Sequence, residues 1–128
     1  MRIAPTRFSQ ELRSLLAKTA GVFSLLGKAL AVVAENVEFA FVYGSFAKGE
    51  ERPESDIDLM VIGEITLDQL LEHLVPVERE LKRPINPTVY ARAEVRKKLR
   101  SNNHFLKAIQ NAPLHFLIGD ENEFREIR

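Results

Sequence analysis

The chain reads as an α/β domain, a mixed sheet of about four strands flanked by helices. Short β-branched and aromatic runs alternate with segments of helical apolar spacing, which is the pattern of strands covered by helices. Two of those runs are joined by only about a dozen residues with no full helix between them, which makes them antiparallel neighbours. The 128 residues, 45% of them apolar, fit one domain with a sizeable core.

The elements follow in order. From Ser9 to Ala34, Leu12, Leu15, Leu16, Val22, Phe23, Leu25, Leu26, Leu30 and Val33 recur at helical spacing. They predict one long helix, with Ser9 as N-cap and a bend near Gly21. Its apolar residues, Leu12, Leu16 and Phe23 among them, suit either the core or a dimer interface. Val37 to Tyr43 is β-branched and aromatic and reads as a central strand, after which Gly44 and Ser45 open a short helical turn through Lys48. Glu50 to Glu54 is a polar loop leading into a strand from Asp56 to Ile62, which Gly63 ends. Thr66 with Gln69 resembles a capping box. Leu67, Leu70, Leu71, Leu74, Val77 and Leu81 then predict a helix from about Leu67 to Lys82, kinked or split by Pro76. Ile85 to Tyr90 is a third strand, and Pro87 favours an edge position or a bulge. Two helices, over Ala93 to Asn102 and Asn103 to Ala112, precede a short strand at Leu114 to Ile118. A last helical turn falls within Asp120 to Arg128.

Several function classes drop out on composition. No apolar run approaches the length of a membrane span. Met1 to Arg7 is too short and too broken by Pro5 to lead a secretory signal, so the expected location is cytoplasmic. With no cysteine there is neither a disulfide framework nor a thiolate metal site. The formal net charge of zero argues against coating nucleic acid by bulk electrostatics. Charge is nonetheless uneven: from Arg79 to Lys107 nine Lys or Arg stand against two Glu. That stretch is either the solvated face of helices or a phosphate and acceptor patch. His73, His104 and His115 match no metal-ligand spacing. The turn lacks the Gly-Lys-Ser/Thr ending of a P-loop, and Ser45 lacks a nucleophile's elbow.

The most informative stretch is Gly44-Ser45, followed after ten residues by Asp56-Ile57-Asp58. Gly44 lets the chain turn sharply, and Ser45 offers a hydroxyl and a backbone N–H to a phosphate oxygen. Asp56 and Asp58 lie two apart on a strand, so period-2 geometry points both carboxylates to one face. That pair suits Mg²⁺, which takes a few carboxylates together with water and substrate phosphates. Lys48 stands where it can add a positive charge, although a solvated lysine is the plainer reading of an exposed loop. Phe46 reads as a packing residue beneath the turn.

Gly44-Ser45-Phe46-Ala47-Lys48-Gly49 with Ser55-Asp56-Ile57-Asp58-Leu59 resembles the signature of the DNA polymerase β-like nucleotidyltransferase superfamily, and the short chain around it resembles the minimal nucleotidyltransferase branch. The similarity runs from about Glu11 to Asp120, with Tyr43 to Val61 its specific part. It implies a polymerase β-like fold with residues 37–128 as the nucleotidyltransferase domain, and residues 1–36 as a helix that is part of it or packed on it. It further implies Mg²⁺ held by Asp56 and Asp58, and a nucleoside triphosphate bound through Gly44, Ser45, Lys48 and Ser55. The activity implied is transfer of an NMP group, AMP from ATP, to a hydroxyl of a protein, RNA or small molecule. Active members usually carry a third carboxylate on a following strand. Here Arg83 to Tyr90 contains none; Thr88 is placed at that position, with Asn86 the alternative.

The spacing also resembles minimal nucleotidyltransferase antitoxins, which implies a HEPN-type protein partner. Ile85 to Tyr90, Phe105-Leu106 and Phe116 to Asp120 resemble a subgroup often fused behind a winged-helix domain, though this chain shows no helix-turn-helix of its own. The missing acid keeps a second expectation open: a catalytically degenerate domain serving as a nucleotide-binding or partner-binding module.

Overall fold

The computed structural model describes residues 20–49 and 56–128. Within them Val37–Tyr43 forms β1 and Ile57–Gly63 forms β2, paired antiparallel so that Ala40 lies opposite Val61 and Tyr43 opposite Asp58. Ile85–Tyr90 is β3, parallel to β2, with Asp58 opposite Asn86 and Met60 opposite Thr88. His115–Ile118 is β4, antiparallel to β1. The sheet order is β3-β2-β1-β4, mixed and four-stranded, with the aspartate strand inside it. Pro87 falls on the edge strand β3, where a missing N–H costs least.

Alternation along β1 and β2 divides the core between two faces. On one, Ala40, Val42, Ile57, Leu59 and Val61 pack with Val22, Leu26 and Leu30 of the helix α1 (residues 20–31) and with Leu70, Leu74 and Val77 of α3 (Leu67–Leu81). On the other, Phe39, Phe41, Met60 and Ile62 meet Val95 and Leu99 of α4 (Arg92–Arg100), Leu106 and Ile109 of α5 (His104–Gln110), Phe124 of α6 (Glu121–Arg125), and Ile127 just beyond. A four-residue turn of helix, α2 (Gly44–Ala47), follows β1 directly. The result is helix, sheet and helix in three layers. Ser9, Leu12, Leu15 and Leu16, expected on the first helix, lie outside the described residues.

Helix α3 starts at the predicted capping box. Thr66 Oγ1 accepts from the Gln69 N–H at 3.1 Å, and Gln69 Oε1 accepts from the Thr66 N–H at 3.0 Å. Of the two outcomes expected at Pro76, a kink or a split, the split does not occur: α3 runs unbroken to Leu81. Proline in a helix interior costs about 3 kcal/mol. Burying Leu70, Leu74 and Val77 contributes about 1.5–3 kcal/mol for each side chain, so packing on both sides of Pro76 outweighs the lost hydrogen bond.

Between α1 and β4, the rings of Phe23 and His115 stack with centroids 3.5 Å apart and planes 6° from parallel. Desolvation holds His115 below the ordinary histidine pKa. The unfolded chain therefore takes up the proton more readily. The contribution of this stack is complete above about pH 6.5, the unfolded value, and is lost as pH falls through the lowered folded value. Thermal unfolding should give a lower Tm at pH 5.5 than at pH 7.5, and His115→Gln should narrow that difference.

Candidate functional site

β1 ends at Tyr43 and the chain turns at Gly44, whose φ of +75° is a conformation L side chains rarely adopt. The turn closes through the Lys48 N–H donating to the Gly44 carbonyl at 3.1 Å and the Gly49 N–H donating to the Phe46 carbonyl at 3.3 Å. Phe46 is buried beneath it, edge-on to Phe23 at 5.4 Å, with the Arg83 guanidinium 4.9 Å from its ring centroid. It is the packing residue its sequence position predicted. Ser45 is half-buried at the head of the turn and Lys48 is exposed at its end.

The antiparallel register brings this turn to Asp58. Tyr43 pairs with Asp58 across the strands, and a Cβ at residue 44 would collide with Asp58 Oδ2. Gly44 thus does more than turn the chain: its missing side chain makes the space the carboxylate fills. Sequence reasoning missed this second role, because the contact exists only in this register.

Asp56 lies just before β2, and its Oδ2 accepts a hydrogen bond of 2.9 Å from the Asn86 side-chain amide. Asn86 is also the residue opposite Asp58 in the parallel register. Thr88, two residues on, hydrogen bonds with the side chain of Tyr43. Burial raises the Tyr43 phenol above its ordinary pKa, the charge of Asp58 and the neighbouring Tyr90 add to that, and the Thr88 hydrogen bond opposes it. Tyr43 is therefore a neutral hydrogen-bonding group and not a base at physiological pH.

Among the described residues no three His, Cys, Asp or Glu side chains gather where they could hold a metal ion. A pair of carboxylates is nonetheless a donor set of the kind Mg²⁺ takes, since that ion is commonly held by one or two carboxylates and completes its shell with water and substrate phosphates. Ser55, Glu50, Glu51 and Glu54 lie outside the described residues. Of the basic stretch, Arg92 is ion-paired with Glu38, at the opposite end of β1 from Tyr43. Arg96, Lys97 and Arg100 are exposed along α4.

Asn86→Asp tests whether this position can share a cation with the aspartates. It exchanges an amide donor for a carboxylate against Asp56, so without metal the variant should be less stable than the parent by about 1 kcal/mol, or about 4 °C in Tm. Saturating Mg²⁺ should reverse the order. Thermal melts with and without Mg²⁺ read both effects, and a variant indifferent to the ion would show that these side chains do not share one.

A glycine turn seated against one of two neighbouring carboxylates, at the end of a mixed sheet, is the arrangement of a phosphate-handling transferase fold. The chain belongs to the polymerase β nucleotidyltransferase family: residues 28–111 match the family model described as Polymerase beta, Nucleotidyltransferase. No curated protein matches the sequence. Among solved structures, a toxin–antitoxin crystallised with AMP-PNP is similar at a TM-score of 0.57 and 19% identity, over 80% of this chain and 77% of that one. A toxin–antitoxin MntA-HpeT mutant in which two aspartates are changed to glutamate gives 0.56 at 19% identity, over 80% of each chain. A second MntA-HpeT mutant, with a tyrosine changed to alanine, gives 0.51 at 21% identity, over 76% of this chain and 72% of that one. At these identities the likeness shows the fold. No helix among the described residues is long and apolar enough to cross a membrane.

Proposed function

We propose that the protein is a Mg²⁺-dependent nucleotidyltransferase that moves an NMP group, AMP from ATP, to a hydroxyl of a protein, RNA or small-molecule acceptor. The observation that carries this reading is the seating of the Gly44 turn against Asp58; the hydrogen bond from Asn86, opposite Asp58 in the sheet, to Asp56 supports it. In it Asp56 and Asp58 hold the cation. The backbone and hydroxyl of the Gly44-Ser45 turn, with Lys48 and Ser55, receive the β and γ phosphates. Bound Mg²⁺ supplies positive charge to the phosphoryl oxygens as negative charge builds on them. The turn fixes the triphosphate so that the acceptor oxygen meets the α-phosphorus in line; the new P–O bond forms as the bond to pyrophosphate breaks. Asn86 holds Asp56 in position, and Thr88 holds Tyr43. Neither is a base, so the acceptor's proton leaves to water.

Of the N-terminal segment, the described part, residues 20–36, belongs to this domain in our reading, because Val22, Leu26 and Leu30 are buried in the same core as the sheet. A HEPN-type protein is the proposed partner, in a cytoplasmic antitoxin role; the similar solved structures that are toxin–antitoxin pairs favour it. A homodimer is the alternative assembly.

Calorimetric titration with ATP and the other NTPs, with and without Mg²⁺, tests the donor site. Metal-dependent binding is expected, and its absence for every nucleotide would defeat the proposal. A second reading is favoured because, among the described residues, no third acidic side chain gathers with Asp56 and Asp58: a domain that binds nucleotide or partner without transferring. Labelled NMP appearing on any acceptor, and lost in Asp58→Asn, decides against that reading.

A further inference from the structure

Phe105 is 47% exposed on the first turn of α5, although the helix that carries it is firmly seated. Leu106 and Ile109 of the same helix are buried against the phenylalanine-rich face of the sheet, and the Asn103 side chain accepts from the Leu106 N–H at 2.9 Å. The outward position of Phe105 is thus imposed by well-anchored neighbours. Its ring packs edge-on to Tyr43, centroids 5.9 Å apart and planes at 73°. Tyr43 in turn precedes Gly44 directly, pairs with Asp58 and hydrogen bonds with Thr88. An aromatic surface therefore runs from the phosphate turn outward to a solvent-facing ring.

We propose that Phe105, continued inward by Tyr43, is the platform on which the base of the donor nucleotide stacks. This rests on the nucleotidyl-transfer reading above. A triphosphate anchored at the Gly44-Ser45 turn, beside Asp58, leaves its nucleoside in the vicinity of the residue before that turn, and a flat π-face is what a base there would use. Stacking on a π-face depends on ring area, so purine nucleotides bind more tightly than pyrimidine ones.

The test is calorimetry on the full chain with Mg²⁺ and three probes: ATP, UTP and inorganic tripolyphosphate, which has no base. Wild type is compared with Phe105→Ala, Phe105→Trp and Asp58→Asn. Phe105→Ala is expected to weaken ATP about tenfold and to leave tripolyphosphate within about twofold, while Phe105→Trp keeps ATP affinity. Equal weakening of both probes, no weakening of either, or a Phe105→Trp protein as weak as Phe105→Ala would each overturn the platform. If the wild type binds ATP only when Asp58 is intact, the donor site stands whatever Phe105 does. If it binds neither ATP nor tripolyphosphate, the donor site fails and the platform with it.

Discussion

Asp58→Asn is expected to remove Mg²⁺-dependent ATP binding and to lower nucleotidyl transfer by about 1,000-fold or more, since a bound cation contributes several kcal/mol to the transition state. The substitution is nearly isosteric, so the space opposite Gly44 stays filled and the pairing with Tyr43 is kept. What changes is charge. A neutral amide oxygen is a far weaker ligand for a hard cation than a carboxylate. Stability should stay within about 0.5 kcal/mol of wild type, because the side chain is only half-buried. Calorimetry, a labelled-nucleotide transfer assay and a thermal melt read the three quantities. An Asp58→Asn variant that binds and transfers as before would remove Asp58 from the site.

Gly44→Ala is expected to be nearly as severe for a different reason. Its methyl group would strike Asp58 Oδ2, and alanine is strained at a φ of +75°. The strain costs about 1–3 kcal/mol; at about 4 °C for each kcal/mol, Tm should fall by about 4–12 °C. The collision acts on function: the carboxylate must rotate away or the turn must open. Displacing a catalytic group by about 1 Å typically costs about 100-fold in rate. Gly49→Ala is the control, because Gly49 has a φ of +73° but, among the described residues, nothing within 4 Å of its would-be Cβ. It should lose comparable stability and keep its activity. Equal losses of activity in the two variants would mean that backbone strain, and not the contact with Asp58, explains Gly44.

Much of the sheet was legible because each strand carried its own local signal. β1 and β2 are bounded by glycine, and β2 is rich in aliphatic residues. Their short connection fixed them as antiparallel, and the Thr66 capping box marked the start of α3 to the residue. Register across β2 and β3 was not legible. Asn86 and Thr88 lie two apart and share a face of the sheet, so period-2 reasoning cannot choose between them. Only the packing of the intervening α3 sets which one meets the aspartates, and in the structure Asn86 contacts Asp56 while Thr88 is bonded to Tyr43. Phe105 was hidden for a similar reason. Phe105-Leu106 is an apolar pair, and the rotation of α5, settled by Leu106 and Ile109 against the sheet, decides which of the two faces water. Pro76 shows the reverse case: a strong local breaker yields when buried residues on either side hold the helix together.

The hydrogen bond from Asn86 to Asp56 bears on how the protein behaves at rest. Three carboxylates crowded together repel one another until a cation arrives, which ties the integrity of such a cluster to its being filled. Here the side chain bonded to Asp56 is an amide, so the proposed site carries one fewer negative charge and one more internal bond than a cluster of three carboxylates. The fold therefore does not rest on a cation to offset carboxylate repulsion at that position. Occupancy would rise and fall with the supply of nucleotide and Mg²⁺ while the scaffold stays intact, and a partner sensitive to the difference between full and empty would be reading that supply.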